Sequence, residues 1–259
     1  MNYPIFQVDA FAEKVFGGNP AAVCPLTEWL PTDLMQKLAF ENNLSETAFF
    51  IKKDGEYHIR WFTPEVEVDL CGHATLASAY IIFNFYEEDA LSLNLNSMSG
   101  QLVVERKGDK IELNFPARMP QQVETPEGIS DCFNKKPVEV LKSRDYFLLY
   151  ESEEDVRSLV PDYAVMNRLN ALGVIVTAPG TDVDFVSRFF VPNSVIGEDP
   201  VTGSAHSTLI PYWSKHLNKS DLTARQLSAR GGYLWCKYLG DRVTMAGNAV
   251  LYMKGEYYI

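Results

Sequence analysis

Apolar positions along the chain come in two textures. Short segments such as Leu44-Ser-Glu-Thr-Ala-Phe-Phe-Ile51 are apolar over a few residues and fit strands, whereas residues 72–83 and 203–213 stay apolar for longer after a glycine and fit helices. Arg60-Trp-Phe-Thr-Pro64 and Arg188-Phe-Phe-Val-Pro192 read as aromatic-rich strands ended by proline. Strands are also expected at 45–51, 102–106, 110–115 and 174–178. Helix-like segments are expected behind Pro31 and Pro161.

These elements recur in one order. Gly72-His73-Ala74 follows Pro64 by eight residues, and Gly203-Ser204-Ala205 follows Pro192 by eleven. Upstream, Pro31…Met35-x-Lys37-Leu38 is answered by Pro161…Met166-x-Arg168-Leu169, each followed by a strand. Three matches in register predict two related halves, each mixing strands with helices. The seam is expected in the proline-bearing stretch 116–126, giving a first half 1–117 and a second 118–259. Two halves imply a cleft, and ligands often bind in such clefts.

Composition narrows the chemistry. With 46% hydrophobic and 22% charged residues in 259, the chain can bury a sizeable core. Its 23 basic and 34 acidic side chains leave a charge of −11, a field that repels phosphate backbones, so no nucleic-acid partner is expected. The longest nearly apolar stretch, 74–83, falls well short of the roughly 20 residues of a spanning helix, so no membrane partner is expected. The start lacks a basic region and a long apolar core and does not read as a signal peptide; a cytoplasmic location is the expectation. The four cysteines are widely spaced without C-x-x-C, which favours reduced thiols over a disulfide framework or structural zinc. No H-E-x-x-H, calcium loop, G-x-x-x-x-G-K-[ST], G-x-S-x-G or strand-helix G-x-G-x-x-G is present, so no metal or nucleotide cofactor is expected.

The glycine turns are the first candidates. A helix beginning at Gly72 or Gly203 offers unpaired N–H groups and a positive dipole end, and two of them aimed into one cleft would suit a small carboxylate. Alternatively each glycine permits a tight turn before a core helix. Strand alternation places Glu46 on the face of Leu44, Ala48 and Phe50, where a carboxylate would be desolvated and suited to proton transfer; it could equally sit at a strand end and reach water. Asp199, held extended by Pro200, could bind a ligand hydroxyl or amine, or simply turn the chain. Ser204 could cap its helix or touch a ligand. His73 could supply an acid or tether, or be structural. Cys71 raises a thiol acid or nucleophile, but the matching position in the second half is Thr202. Ser204 and His206, two apart on a helix, would not face each other, which speaks against a serine dyad.

Together Phe16-Gly-Gly-Asn-Pro20, Leu44-Ser-Glu-Thr-Ala-Phe49, Asp69-Leu-Cys-Gly-His-Ala-Thr75 and Gly197-Glu-Asp-Pro-Val-Thr-Gly-Ser-Ala205 resemble the PhzF family of phenazine-biosynthesis proteins, as do Arg230-Gly-Gly232 and Met245-Ala-Gly-Asn-Ala249. The resemblance covers nearly the whole chain. It implies an α/β (α+β) protein of the diaminopimelate-epimerase-like fold. Such a fold has two pseudo-symmetric halves, each a curled, mostly antiparallel sheet around a central helix, and its last strand can cross back to the first half. It implies that Glu46 matches the catalytic acid/base, and that His73, Asp199 and Ser204 match polar residues around the substrate, beside the Gly72 and Gly203 turns already singled out as substrate-binding candidates. The related epimerases use two cysteines as bases; here Cys71 matches one and Thr202 replaces the other. The chemistry implied is a cofactor-independent isomerisation of a small carboxylate-bearing molecule, in which one carboxylate moves a proton at carbon. Alternatives are an epimerase or racemase of amino or hydroxy acids, and a non-catalytic small-molecule binding protein. Family members are often homodimers.

Overall fold

The computed structural model describes residues 2–259. The chain divides into two compact units: one runs through Phe115 and regains Met245–Ile259, the other is Pro116–Thr244.

In the first unit β1 (Asn2–Ala10) pairs antiparallel with β2 (Asn19–Leu26). Helix α1 (Thr32–Asn42) then leads to β3 (Glu46–Lys53), which lies parallel to β2 with Glu46 beside Ala21. A two-residue turn connects β3 to antiparallel β4 (Glu56–Phe62). Asp54 (φ 52°) and Gly55 (φ 85°) both occupy the left-handed region that such a hairpin turn requires, which is why the sequence there is Asp-Gly. The two-residue strand β5 (Glu67–Val68) adds to the end of β4, and α2 (Gly72–Phe85) follows. β6 (Ser92–Ser97) returns parallel to β4, and β7 (Gly100–Lys107) and β8 (Lys110–Pro116) continue antiparallel.

The second unit repeats the scheme. After β9 (Gln121–Gln122) come β10 (Glu139–Lys142), β11 (Tyr146–Leu149), the short helices α3 (Glu153–Ser158) and α4 (Tyr163–Met166), then β12 (Val174–Pro179) and β13 (Phe185–Phe190). β14 (Glu198–Asp199), α5 (Gly203–Leu217), β15 (Asp221–Gln226) and β16 (Gly232–Tyr238) complete it. Strands β1-β2-β3-β4-β6-β7 pair antiparallel, parallel, antiparallel, parallel, antiparallel, and β10-β11-β12-β13-β15-β16 pair in the same succession. β17 (Arg242–Gly247) straddles the division, and β18 (Ala249–Tyr258) pairs antiparallel with β1.

The paired arginines have a physical reason. Arg60 in β4 donates from Nε and Nη2 to the Glu67 carboxylate at 2.6 and 2.7 Å, while Arg188 in β13 does the same to Glu198 at 2.7 and 2.9 Å. Each guanidinium also lies over the phenylalanine two residues on, Phe62 at 5.2 Å and Phe190 at 4.9 Å. A bidentate ion pair of this kind fixes a two-residue strand that its backbone bonds alone would hold weakly. That strand delivers the chain to the helix behind it.

Both long helices are buried nearly all round, as befits a helix that a sheet curls about. Helix α2 packs against β1, β2, β3 and β18, with 11 of its 14 residues buried. In α5, Pro211 removes a helical donor and frees the Ser207 carbonyl, which accepts instead from the Arg118 amide at 2.8 Å. The helix expected behind Pro161 is only the single turn α4, capped by the Asp162 carboxylate accepting from Val165 N. It stops because the Asn167 side chain and carbonyl are bound by Asn193 at 2.8 and 3.1 Å. Among the described residues no helix is long and apolar enough to cross a membrane.

Candidate active site

In the first unit the site forms where α2 begins. Cys71 is its N-cap in extended conformation (φ −141°, ψ 113°), so Gly72 and His73 are the first two helical residues. The Cys71 carbonyl accepts from Thr75 N at 3.1 Å and from the Thr75 hydroxyl, which locks the first turn. His73 is 4% exposed. Its Nδ1 lies 3.1 Å from the Asn19 side-chain amide, at the start of β2, and 3.6 Å from Cys71 Sγ. Its Nε2 lies 3.1 Å from Oε2 of Glu46, the first residue of β3. Both of those atoms are buried, and neither has a hydrogen bond of good geometry to another protein group. Parallel pairing of β2 and β3 brings Asn19 and Glu46 to the same end of the sheet, over the helix N-terminus.

Both readings of Glu46 are partly met. It stands at the strand end with its side chain 17% exposed, yet Ala48 and Phe50 behind it are buried and one carboxylate oxygen has no access to water. Around His73, burial works against the imidazolium, but the neighbouring Cys71 and Glu46 outweigh it and hold the pKa well above the ordinary histidine value. Burial, reinforced by the charge of Glu46, pushes the Cys71 thiol up to about 11, so it stays protonated at neutral pH. The arrangement is a carboxylate open to a ligand on one side and backed by an imidazole on the other.

In the second unit the corresponding helix start is built differently. Thr202 caps α5 in the same extended conformation (φ −116°, ψ 100°), followed by Gly203 and Ser204. Its hydroxyl donates to the Asp199 carboxylate, and its N–H donates to Gln226 Oε1 at 2.9 Å. Gln226 Nε2 donates back to the Asp199 carbonyl at 2.7 Å and to Thr202 Oγ1 at 3.1 Å. Asp199 is thus fixed in β14, extended before Pro200. Ser204 Oγ accepts from Arg144 Nη2 at 2.9 Å, which leaves the serine hydrogen free to donate elsewhere. Arg144 is held in turn by Asp145, only 1% exposed, at 2.8–3.2 Å. Glu46, Gly72 and His73 therefore gather at the start of α2, and Asp199, Gly203 and Ser204 at the start of α5.

His206 is separate from Ser204, as the helical spacing predicts. It is fully buried, with Nδ1 donating to the Thr202 carbonyl at 2.8 Å, and burial lowers its pKa to about 4. It is therefore neutral in the fold, while in the unfolded chain it gains a proton as pH drops below about 6.5. Its stability contribution is complete above that pH and is lost as pH falls toward 4, by about 3 kcal/mol. Urea unfolding at pH 7.5 and 4.5 should show a decline smaller by that amount in His206→Asn, which keeps a donor but cannot titrate. Equal declines in the two proteins would contradict this.

Sequence reasoning missed three supports. Asn19 lay within the quoted Phe16-Gly-Gly-Asn-Pro20, and its invisibility came from its partner being 54 positions away. Arg144 and Gln226 had no local signal. They reach Ser204 and Thr202 from distant strands and their loops.

Comparison with known proteins places this geometry. The family of phenazine biosynthesis-like proteins, PhzC-PhzF, matches residues 8–255. A protein of Pseudomonas aeruginosa named as an uncharacterized isomerase is 48% identical over 259 residues, covering all of both chains. A crystal structure of a PhzF-family protein from Enterococcus faecalis superposes with a TM-score of 0.97 at 49% identity, again over all of both chains. A hydroxyproline epimerase from Agrobacterium vitis shares the fold alone, with a TM-score of 0.66 at 12% identity over 98% of this chain and 92% of its own. A match spanning nearly the whole chain, with full-length relatives at almost half identity, leaves one assignment: the chain belongs to the PhzC-PhzF family of phenazine biosynthesis-like proteins.

Proposed function

We propose that this chain is an isomerase that moves a proton at carbon in a small carboxylate-bearing metabolite, with Glu46 as the single acid/base and no cofactor in the step. The observation that carries the reading is the buried approach of Glu46 Oε2 to His73 Nε2, at 3.1 Å, beside the N-terminus of α2. The imidazole beside the carboxylate stabilises the charge it carries before and after transfer. Glu46 removes the proton, the substrate carbanion delocalises its charge, and the same carboxylate returns the proton at another position. The backbone amides of Gly72 and His73 offer donors to developing negative charge.

The family resemblance assigns Asp199 and Ser204 to substrate binding, and the helix start at Gly203 offers its amides beside them. The Arg144-to-Ser204 bond supports Ser204 in that role, because a serine that accepts from arginine presents its hydrogen to an anion. An epimerase with one thiol base from each half is disfavoured, since the Cys71 thiol is held protonated and the matching cap is Thr202.

The test is incubation in heavy water with a panel of amino, hydroxy and unsaturated ring carboxylates, read by mass and by chirality. The expected result is deuterium at carbon with a rearranged product. Deuterium at one stereocentre with inverted configuration would make the protein an epimerase. Saturable binding without exchange across the panel would make it a binding protein.

A further inference from the structure

We propose that Glu46, Cys71 and His73 form a binding site for one thiophilic divalent cation of the Zn2+ class, and that filling it switches the enzyme off. The inhibitory half rests on Glu46 being the acid/base; the binding half does not.

Three different donor types meet here, a carboxylate oxygen, an imidazole nitrogen and a sulfur, all within 4.8 Å of one another. Bond lengths of about 2.3 Å to sulfur and 2.0–2.1 Å to nitrogen or oxygen, at a tetrahedral angle, place ligand atoms roughly 3.3–3.6 Å apart. Glu46 Oε2 lies 3.1 Å from Nε2, while Cys71 Sγ lies 3.6 Å from Nδ1, on the other edge of the ring. A rotation of the Cys71 side chain that brings Sγ to the Nε2 edge would close the triad on one ion.

Nε2 and Oε2 are buried without a hydrogen bond of good geometry, so both polar atoms have lost water and gained nothing equivalent. A cation between them supplies what is missing. The other ring nitrogen faces the Asn19 amide at 3.1 Å, the outer contact that commonly orients a ligating histidine. Three protein ligands leave a fourth position for water, and the sulfur selects zinc or cadmium over magnesium or calcium. On binding, the Cys71 S–H and His73 Nε2–H bonds break, sulfur and nitrogen keep the electron pairs as metal ligands, and both protons pass to buffer. Coordination of Oε2 draws negative charge off the whole carboxylate, so its other oxygen is a much weaker base toward the substrate.

Cadmium provides the direct readout, because a cadmium–thiolate bond absorbs in the ultraviolet. One equivalent of Cd2+ added to the full chain should produce that band. Zn2+ should displace it, Cys71→Ser should abolish it, and Cys132→Ser should leave it intact. Glu46→Gln should keep the band with at least tenfold weaker affinity. Should Cys71→Ser fail to fold, X-ray absorption of the natural chain with one equivalent of Zn2+ decides: one sulfur at about 2.3 Å is expected beside lighter atoms at about 2.0–2.1 Å. Absence of the band, its survival in Cys71→Ser, or a shell without sulfur would overturn the site. Binding is read without substrate, so its failure is distinct from failure of the isomerase reading. Where exchange is measured, one equivalent of Zn2+ should suppress it and a chelator restore it; undiminished exchange with the site filled would overturn the inhibition.

Discussion

Glu46→Gln should lower turnover by about 10²- to 10⁴-fold, the usual worth of a positioned acid/base, equivalent to about 3–5 kcal/mol of barrier. Glutamine has the same shape and fills the same space beside His73, so the packing of β3 against β2 and β4 should survive. What it cannot do is hold a proton. The check is a pair of measurements on one preparation: the initial rate of deuterium entry into a turned-over carboxylate, and the thermal midpoint by circular dichroism. A collapse in rate with a midpoint within a few degrees is expected. An undiminished rate removes Glu46 from the chemistry, and a rate lost together with the fold would show that its role is structural.

Trp213→Ala should cost the second unit about 3–5 kcal/mol, the range for deleting a buried large aromatic. Trp213 is fully buried in α5, stacked on Phe185 with centroids 5.8 Å apart and planes 4° from parallel, and edge-on to Tyr212. Its Nε1 donates to Thr177 Oγ1 at 3.0 Å, and the Thr177 hydroxyl in turn donates to the Val186 carbonyl at 2.6 Å. Truncation opens a cavity and also strips a buried hydroxyl of its donor. Phe should recover most of the packing and leave a deficit of about 1–2 kcal/mol from the unmet Thr177 oxygen. Urea denaturation monitored at two wavelengths would measure both variants. A cost below 1 kcal/mol for alanine would mean that α5 is not the pillar of its sheet.

The strands and the two central helices were legible because their signals are local. Proline after aromatic residues marked the ends of β4 and β13, and the Gly-His-Ala and Gly-Ser-Ala turns marked the first residues of α2 and α5. The repeat was legible for a deeper reason than aromatic content: Arg60 and Arg188 each need a glutamate on the next short strand, so each half carries the same ion pair. Helix α4 misled because proline, methionine and leucine spacing is silent about Asn167, whose carbonyl is captured by Asn193 from 26 positions on. At the site, residue types could suggest that Glu46 is desolvated, but not that a histidine 27 positions later lies 3.1 Å from its oxygen. That proximity depends on a parallel pairing of β2 with β3, and strand order is a tertiary outcome. Arg144 shows the same limit: its charge is plain in the chain, but its bond to Ser204 spans 60 positions.

The proposed isomerase needs one carboxylate both to take and to return the hydrogen. The sharpest measurement uses a turned-over carboxylate deuterated at the reacting carbon, in ordinary water, with the product analysed by mass and position of label. Part of the deuterium should reappear at the new carbon, because Glu46 carries it there before exchange is complete. Complete loss of the label, with inverted configuration at the original carbon, would mean that two different groups handle the proton and would contradict the account.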